Sequence, residues 1–238
     1  MSLTLVLAQG FLRNRQGADS CVANNGICLD WIVHNFDRYV HPFFEHVFLT
    51  VVSVGIGFAI ALSLGLLAHR RRWLITPFTA LTSAIYTVPS ISAFLLLLPI
   101  TGRGQLTAIV ALTAYTQVII FRNVITGLAN VPRETVDAAA GMGMTPNQRL
   151  FRVEVPLAGP EILAGLRVAA ATTVGLAAFA YLAGGGGLGR LIAVGDQIVF
   201  KSNVLVAGGL MTLLAAALDL LVLGILRVLS PWRRAVAT

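Results

Sequence analysis

The sequence predicts an all-α polytopic membrane protein with about five transmembrane helices and its N-terminus outside. Three observations predict it. Of 238 residues, 57% are hydrophobic and 11% charged, whereas about a quarter of a soluble domain is charged. Uncharged apolar runs reach the ~20 residues that a helix needs to cross a bilayer core. Arginines gather at alternate ends of those runs, as they do where basic residues stay on the cytoplasmic side. A water-soluble globule is excluded, and the length leaves no room for a second, enzymatic domain.

Residues 1–45 form an extracytoplasmic, interfacial lead-in. "MSLTLVLAQGFLRNRQ" starts like a signal peptide, but its apolar run is short and Arg13 and Arg15 follow it rather than precede it. "DWIVHNFDRYVHPFFEH" then interleaves aromatics with charges, a pattern suited to lying along headgroups. Cys21 and Cys28 form neither a CxxC nor part of a zinc set, so no metal site is expected. On the outer side they can pair in a disulfide, with Asn24-Asn25-Gly26 as the turn between them.

The membrane domain covers 46–228. Its first span runs from about Val47 to Ala68, uncharged, and stops at His69-Arg70-Arg71-Arg72. The next apolar stretch, Trp73 to about Ile100, is too long for one straight span. Pro77, Pro89 and Pro99 punctuate it, so it reads as a kinked span or a span with a broken segment. A third span covers about Leu106–Leu128, a fourth about Ile162–Leu182, a fifth about Val204–Leu226. With Arg70–Arg72 inside, most of the 17 Lys and Arg fall on the cytoplasmic side. Only Arg13, Arg15, Arg38, Arg103, Arg190 and Lys201 fall outside. The net charge of +7 is therefore a matter of topology and anionic headgroups rather than nucleic acid. Residues 229–238 make a cytoplasmic tail.

Between the third and fourth spans, a cytoplasmic loop over 130–158 reads as two short helices. Pro132 suits a first helical turn, and Glu134 and Asp137 place acid near the positive end of the dipole. Ala138, Ala139 and Ala140 leave a shallow surface, and Gly141 and Gly143 end the helix. Thr145 is the expected N-cap of the second, with Pro146 at its first position and Gln148 completing a capping box. Pro156 is expected to stop it. A DNA-reading helix pair is excluded, because spans flank the loop closely and leave no domain to dock on a groove.

Asp137-Ala138-Ala139, three residues, Gly143, nine residues, then Val153-x-Val155-Pro156 resembles the "EAA" loop of binding-protein-dependent ABC importer permeases of type I. The family pattern is Glu-Ala-Ala, three residues, Gly, nine residues, Ile-x-Leu-Pro. Asp137 replaces Glu and the two valines replace Ile and Leu, so charge and apolarity are kept. "DAAAGMGMTPNQRLFRVEVPLAGPEILAGLR", "EHVFLT", "YTVPSISAFLLLLPITG" and "GGGGLGRLI" are similar, more narrowly, to permeases of osmoprotectant importers. Those take glycine betaine, carnitine, choline or proline. Methionine importer permeases are the nearest sibling. The resemblance covers roughly Glu45 to Arg227.

That resemblance implies a loop that docks on a dimer of ABC ATP-binding subunits through Asp137, Ala138, Ala139, Gly143 and Pro156, with Arg149 and Arg152 meeting acidic groups. It implies an extracytoplasmic substrate-binding protein and a second permease chain, identical or related. No G-x-x-x-x-G-K-[ST] occurs in the sequence, so no cofactor is expected on this chain and ATP with Mg belongs to the partner. Gly184–Gly187 lacks the Lys-Ser/Thr and reads as a flexible turn. Polar residues inside spans are candidates for the translocation path, since unsatisfied polarity in lipid is costly. They are Tyr86, Pro89, Ser90 and Ser92 around a helix break, with Thr82, Ser83 and Thr87 beside them. Tyr115, Thr116, Gln117 and Asn123 on the third span join them, and Asp219 on the last is a further candidate, with a protein interface as its favoured reading. Tyr86 and Tyr115 are singled out because aromatic faces attract quaternary ammonium groups. A stand-alone carrier or intramembrane enzyme is the competing class. Against it, His34, His41, His46 and His69 lie at or outside span ends, and only Asp219 is a clear intramembrane carboxylate.

Overall fold

A computed structural model describes residues 27–198 and 200–229, and every regular element among them is helical. Helix α1 (Leu29–His34) precedes α2 (Asp37–Arg70), a short 3-10 turn, α3 (Ile75–Thr87), α4 (Ser90–Thr101) and α5 (Gln105–Ala129). The loop holds α6 (Arg133–Gly141) and α7 (Pro146–Arg149), then a π-helical turn over Leu150–Glu154. Helix α8 (Val155–Ala177), a 3-10 turn at Ala180–Ala183, α9 (Gly189–Gln197) and α10 (Lys201–Leu229) complete it.

Helices α2, α5 and α10 are each long and apolar enough to cross a membrane. The stretch expected to be kinked is two helices, α3 with its preceding turn and α4, bent by 98° at the break before Ser90. Pro89 has no N–H and holds Val88 extended (ψ 128°), which ends α3. Counted as one span, the pair makes four. Five were expected. Helix α8, 23 residues long, is not among those that pass on length and apolarity, because it carries Glu161 and Arg167. It packs against α2, α5 and α10, and a helix sheltered by neighbours tolerates polarity that lipid would not.

The first span also differs at its start. Helix α2 begins at Asp37 and runs 34 residues, about 51 Å at 1.5 Å per residue. The end of the aromatic lead-in is thus a continuation of the span, with Pro42 in its second turn where few intrahelical bonds are lost.

Small residues decide how closely these helices approach. On α2, Gly57, Ala61, Gly65 and Ala68 recur at spacings of three or four and are buried. A Cβ at Gly57 would strike Thr116, and one at Gly65 would strike Val124, both on α5. Gly127 of α5 meets Ala158 and Glu161 of α8, and Gly165 of α8 meets Asn123. Without a strong hydrophobic drive between helices in lipid, such close contact supplies the packing. Helix α5 is central to both apolar clusters. One gathers Ile120, Phe121, Val124 and Leu128 with Ala61, Leu150 and Ile162. The other gathers Ala108, Ala111 and Leu112 with Leu49, Phe94 and Ala177.

At the opposite end from the loop, Gly184, Gly186 and Gly187 take positive φ near 80°. The backbone there closes over Glu45, whose carboxylate accepts the Gly187 N–H at 2.9 Å. A side chain at Gly186 would occupy the position of that carboxylate. Buried His46 donates its Nε2–H to the Val174 carbonyl at 3.0 Å. Tyr39 donates to Asn203 at 2.7 Å, and Asn203 donates in turn to the Leu191 carbonyl. These bonds fasten α2 to α8, α9 and α10.

Candidate functional site

The loop takes its shape from local capping. Pro132 is extended (ψ 130°) and caps α6. The helix ends in a Schellman arrangement, in which Met144 N–H donates to Ala139 and Gly143 N–H to Ala140. Gly143 has φ +80° with open space around its Cβ position, so conformation rather than crowding selects glycine there. Thr145 then accepts from the Gln148 backbone while the Gln148 side chain accepts the Thr145 N–H. Both bonds of the expected capping box are present.

Pro156 does not stop the second arm. Helical backbone continues without a gap from Pro146 to Ala177, and Pro156 sits in the first turn of α8. A proline ring clashes with the carbonyl four residues earlier in a regular α-helix. The π turn at Leu150–Glu154 widens the backbone just there.

Of the residues assigned to the loop surface, Asp137, Ala138, Gly143 and Arg152 are exposed. Ala139 is buried (1%) and packs the first arm down. Pro156 is half-buried, as is Arg149, whose Nε has no hydrogen-bond partner among the described residues. Met142 and Phe151, exposed at 72% and 57%, flank the acidic and small residues with apolar surface. Two contacts latch the loop to the end of α2. His69 Nε2 lies 2.6 Å from Glu154 Oε2, and Arg70 donates to Asn147 at 2.5 Å while its guanidinium lies over the Phe151 ring. Sequence reading missed both, because partners 77 and 85 residues apart leave no local signal. Behind the loop a cavity of about 450 Å³ is lined by residues including His69, Arg72, Arg133, Asp137 and Glu154.

The intramembrane candidates divide into two groups. Tyr86 and Tyr115 meet edge-to-face with centroids 5.7 Å apart. The Tyr115 hydroxyl donates to the Val88 carbonyl, a group that the Pro89 break leaves without its helical partner. Pro89 is exposed, and Ser90 and Ser92, half-buried, begin α4 beside it. Thr82 is buried and bonds back to Phe78. Gln117 and Asn123 belong elsewhere. Gln117 donates to the carbonyls of Gly57 and Thr113. Asn123 donates to Ile119 and packs on Gly165. Both side chains are engaged within the helix bundle. Asp219 is held by Arg167 of α8, with both carboxylate oxygens occupied at 2.7 Å. Arg122, given by sequence only a topological part, donates to Ser83 at 2.9 Å. Cys28 is buried and its N–H donates to Ser202 Oγ at 2.9 Å. The Cys21–Cys28 pairing rests on Cys21, which lies outside the described residues, as does the tail beyond Leu229.

Residues 53–235 match the family model described as "Binding-protein-dependent transport system inner membrane component". The chain is 38% identical over 196 residues to the osmoprotectant import permease protein OsmW of Salmonella typhimurium, covering 79% of this chain and 90% of that one. It is 34% identical to the glycine betaine/carnitine/choline transport system permease protein OpuCD of Bacillus subtilis, covering 82% and 86%. Among solved structures, a chain of the inward-facing MetNI methionine ABC transporter superposes with TM-score 0.67 and 26% identity, covering 79% and 95%. A chain of an amino acid ABC transporter with histidines superposes with TM-score 0.71, covering 84% and 98%. At 16% identity it bears on the fold alone.

Proposed function

The chain belongs to the binding-protein-dependent transport system inner membrane components, and from that premise we propose that it forms the path through which an ABC importer admits small osmoprotectants. It is a multi-pass protein of the bacterial inner membrane and a transport permease. The substrates are quaternary ammonium compounds such as glycine betaine, carnitine or choline, or proline. Two permease chains surround the path. A binding protein delivers substrate from the outer side, where the N-terminus lies, and an ATPase dimer works from the cytoplasm.

One observation carries the division of labour. Asp137 and Ala138 stand exposed on a short capped arm between apolar Met142 and Phe151, a surface suited to the groove of a second protein. Closure of the ATPase dimer pushes that arm, and the contacts of His69 and Arg70 carry the push to α2. This chain presents docking groups and a lined path, while ATP and Mg are held by the partner. A methionine-type importer is the second reading, favoured by the superposition on the methionine transporter. The higher identity to the osmoprotectant permease weighs against it.

Reconstitution tests the reading. The purified chain is expected to show no ATP hydrolysis. With its ATPase and binding protein in proteoliposomes it should accumulate labelled glycine betaine in an ATP-dependent way. Robust hydrolysis by the chain alone, or uptake of methionine without any quaternary ammonium substrate, would overturn it.

A further inference from the structure

Helices α3 and α5 share a polar strip that packing alone does not require. On α3, Thr79, Ser83, Tyr86 and Thr87 recur at spacings of three and four, so they lie on one face. Exposed Leu81 falls on the opposite face. On α5, Tyr115 and Arg122 are seven apart, two turns along the same side. Two contacts pin the faces together: the ring pair of Tyr86 and Tyr115 and the bond from Arg122 to Ser83. Tyr115 is buried behind Tyr86, which remains 45% exposed. Arg122 is exposed, and its hydrogen-bond partner is a neutral hydroxyl.

Arg122 lies seven residues before the end of α5, roughly 10 Å inside it by helical rise. A guanidinium with no carboxylate beside it is unfavourable against hydrocarbon, and intramembrane charges face water-filled cavities or partners. The strip therefore faces the aqueous path. Along it the Tyr86 ring and the guanidinium held at Ser83 are about one turn of α3 apart, roughly 5 Å of rise.

We infer that this strip selects among substrates, with Tyr86 receiving a quaternary ammonium group and Arg122 receiving the carboxylate at the other end of the same molecule. The inference rests on the importer reading above. An aromatic face attracts the ammonium without needing a hydrogen bond, and a planar guanidinium suits a carboxylate. A zwitterion satisfies both groups at once. A plain cation such as choline meets the ring but is repelled by Arg122. The strip thus favours betaine-type zwitterions over choline-type cations after delivery from the binding protein.

The test uses the complete transporter in proteoliposomes, with glycine betaine as probe. Arg122→Gln keeps a donor for Ser83 but removes the charge, whereas Arg122→Lys keeps the charge. Maximal glycine betaine uptake should fall about tenfold in Arg122→Gln, the scale of a lost charge-assisted contact, and recover in large part in Arg122→Lys. Tyr86→Leu should lower uptake and Tyr86→Phe preserve it. The concentration of loaded binding protein giving half-maximal uptake should stay constant, since docking lies at the other end of the protein. Equal rates for the Gln and Lys variants, whether both normal or both impaired, would overturn the inference and leave Arg122 as a structural strut. A wild-type transporter that moves no osmoprotectant would instead overturn the importer reading, and the inference with it.

Discussion

Arg167 donates to both carboxylate oxygens of Asp219, from Nε and Nη2 at 2.7 Å each, and so joins α8 to α10. The fork-shaped guanidinium matches the carboxylate in two parallel bonds, which fixes orientation as well as distance. Each charge removes the penalty that its partner would otherwise meet within a span. From sequence Asp219 is a path candidate whose favoured reading is a protein interface, and the structure pairs both of its oxygens with Arg167.

Asp219→Asn should therefore act on assembly rather than on selectivity. It leaves Arg167 with an uncompensated charge between helices, and the membrane level of the protein should fall several-fold. The exchanged pair, Arg167→Asp with Asp219→Arg, should recover part of that level. Immunoblots of membrane fractions decide it. A normal level with altered substrate preference in Asp219→Asn would contradict the structural role.

Gly143→Val should impair coupling while leaving membrane insertion intact. The φ of +80° costs a non-glycine residue about 1–2 kcal/mol, and a β-branched residue tolerates it least. Open space around the position means that size alone is not the obstacle, so Gly143→Asn should behave nearly as wild type. ATP hydrolysed per substrate imported, measured in proteoliposomes, should rise for Val and not for Asn. Equal behaviour of the two variants would remove the conformational argument.

Gly189→Ala should destabilise the protein more than Gly65→Ala. A Cβ at Gly189 would run into the Ala178 carbonyl, a backbone group. At Gly65 it meets only side-chain atoms, Cγ1 and Cβ of Val124, which can shift more readily than a backbone carbonyl. Overpacking of this kind costs typically ~1–3 kcal/mol, and the backbone case should sit at the upper end. Thermal unfolding of the two variants in detergent, compared with wild type, measures the difference. The reverse ranking would show that the C-terminal end of α8 at Ala178 yields more readily than the α2–α5 contact.

Cys21 and Cys28 should be shielded from thiol reagents in intact cells until a reductant is added. An N-out orientation, as proposed above, would place both where oxidation is permitted, and the loop between them is short, so its stabilisation is local, about 2 kcal/mol. Labelling with an impermeant maleimide before and after reduction checks both points. Labelling without reductant contradicts the bond. No labelling after reduction contradicts the orientation.

The loop was the most legible part of the sequence because its determinants are local. Thr145, Pro146 and Gln148 specify a helix start within four residues, and Gly143 specifies the preceding end. The α3–α4 break was legible for the same reason, since Pro89 acts on its immediate neighbours. Pro156 was misread because its effect depends on the π turn before it, which no residue type announces. Helix α8 was placed, but its polarity made sense only once α2, α5 and α10 were seen around it. Gln117 and Asn123 looked like path residues by polarity alone. Their partners, backbone carbonyls of α2 and α5, are invisible to a reading by residue type. The latch of His69 and Arg70 and the strip around Arg122 are long-range pairings, and only the fold brings them together.

The unbroken backbone from Pro146 to Ala177 has a mechanical consequence. A docking arm joined to its span by a loose loop would dissipate any displacement in the joint. Here the arm and the span share one continuous helical path, so a displacement at Asn147 is passed into α8, whose far end at Ala177 packs in the second apolar cluster. The soft points of that path are the π turn, whose wider ring of backbone bonds is the less stable geometry, and Pro160 within α8, which removes one intrahelical bond. Glu154, in the π turn, is bound to His69, which braces the path where it would otherwise flex. On the function proposed above, force applied to the loop arm would travel along this continuous backbone to the far end of α8, with α2 packed alongside it.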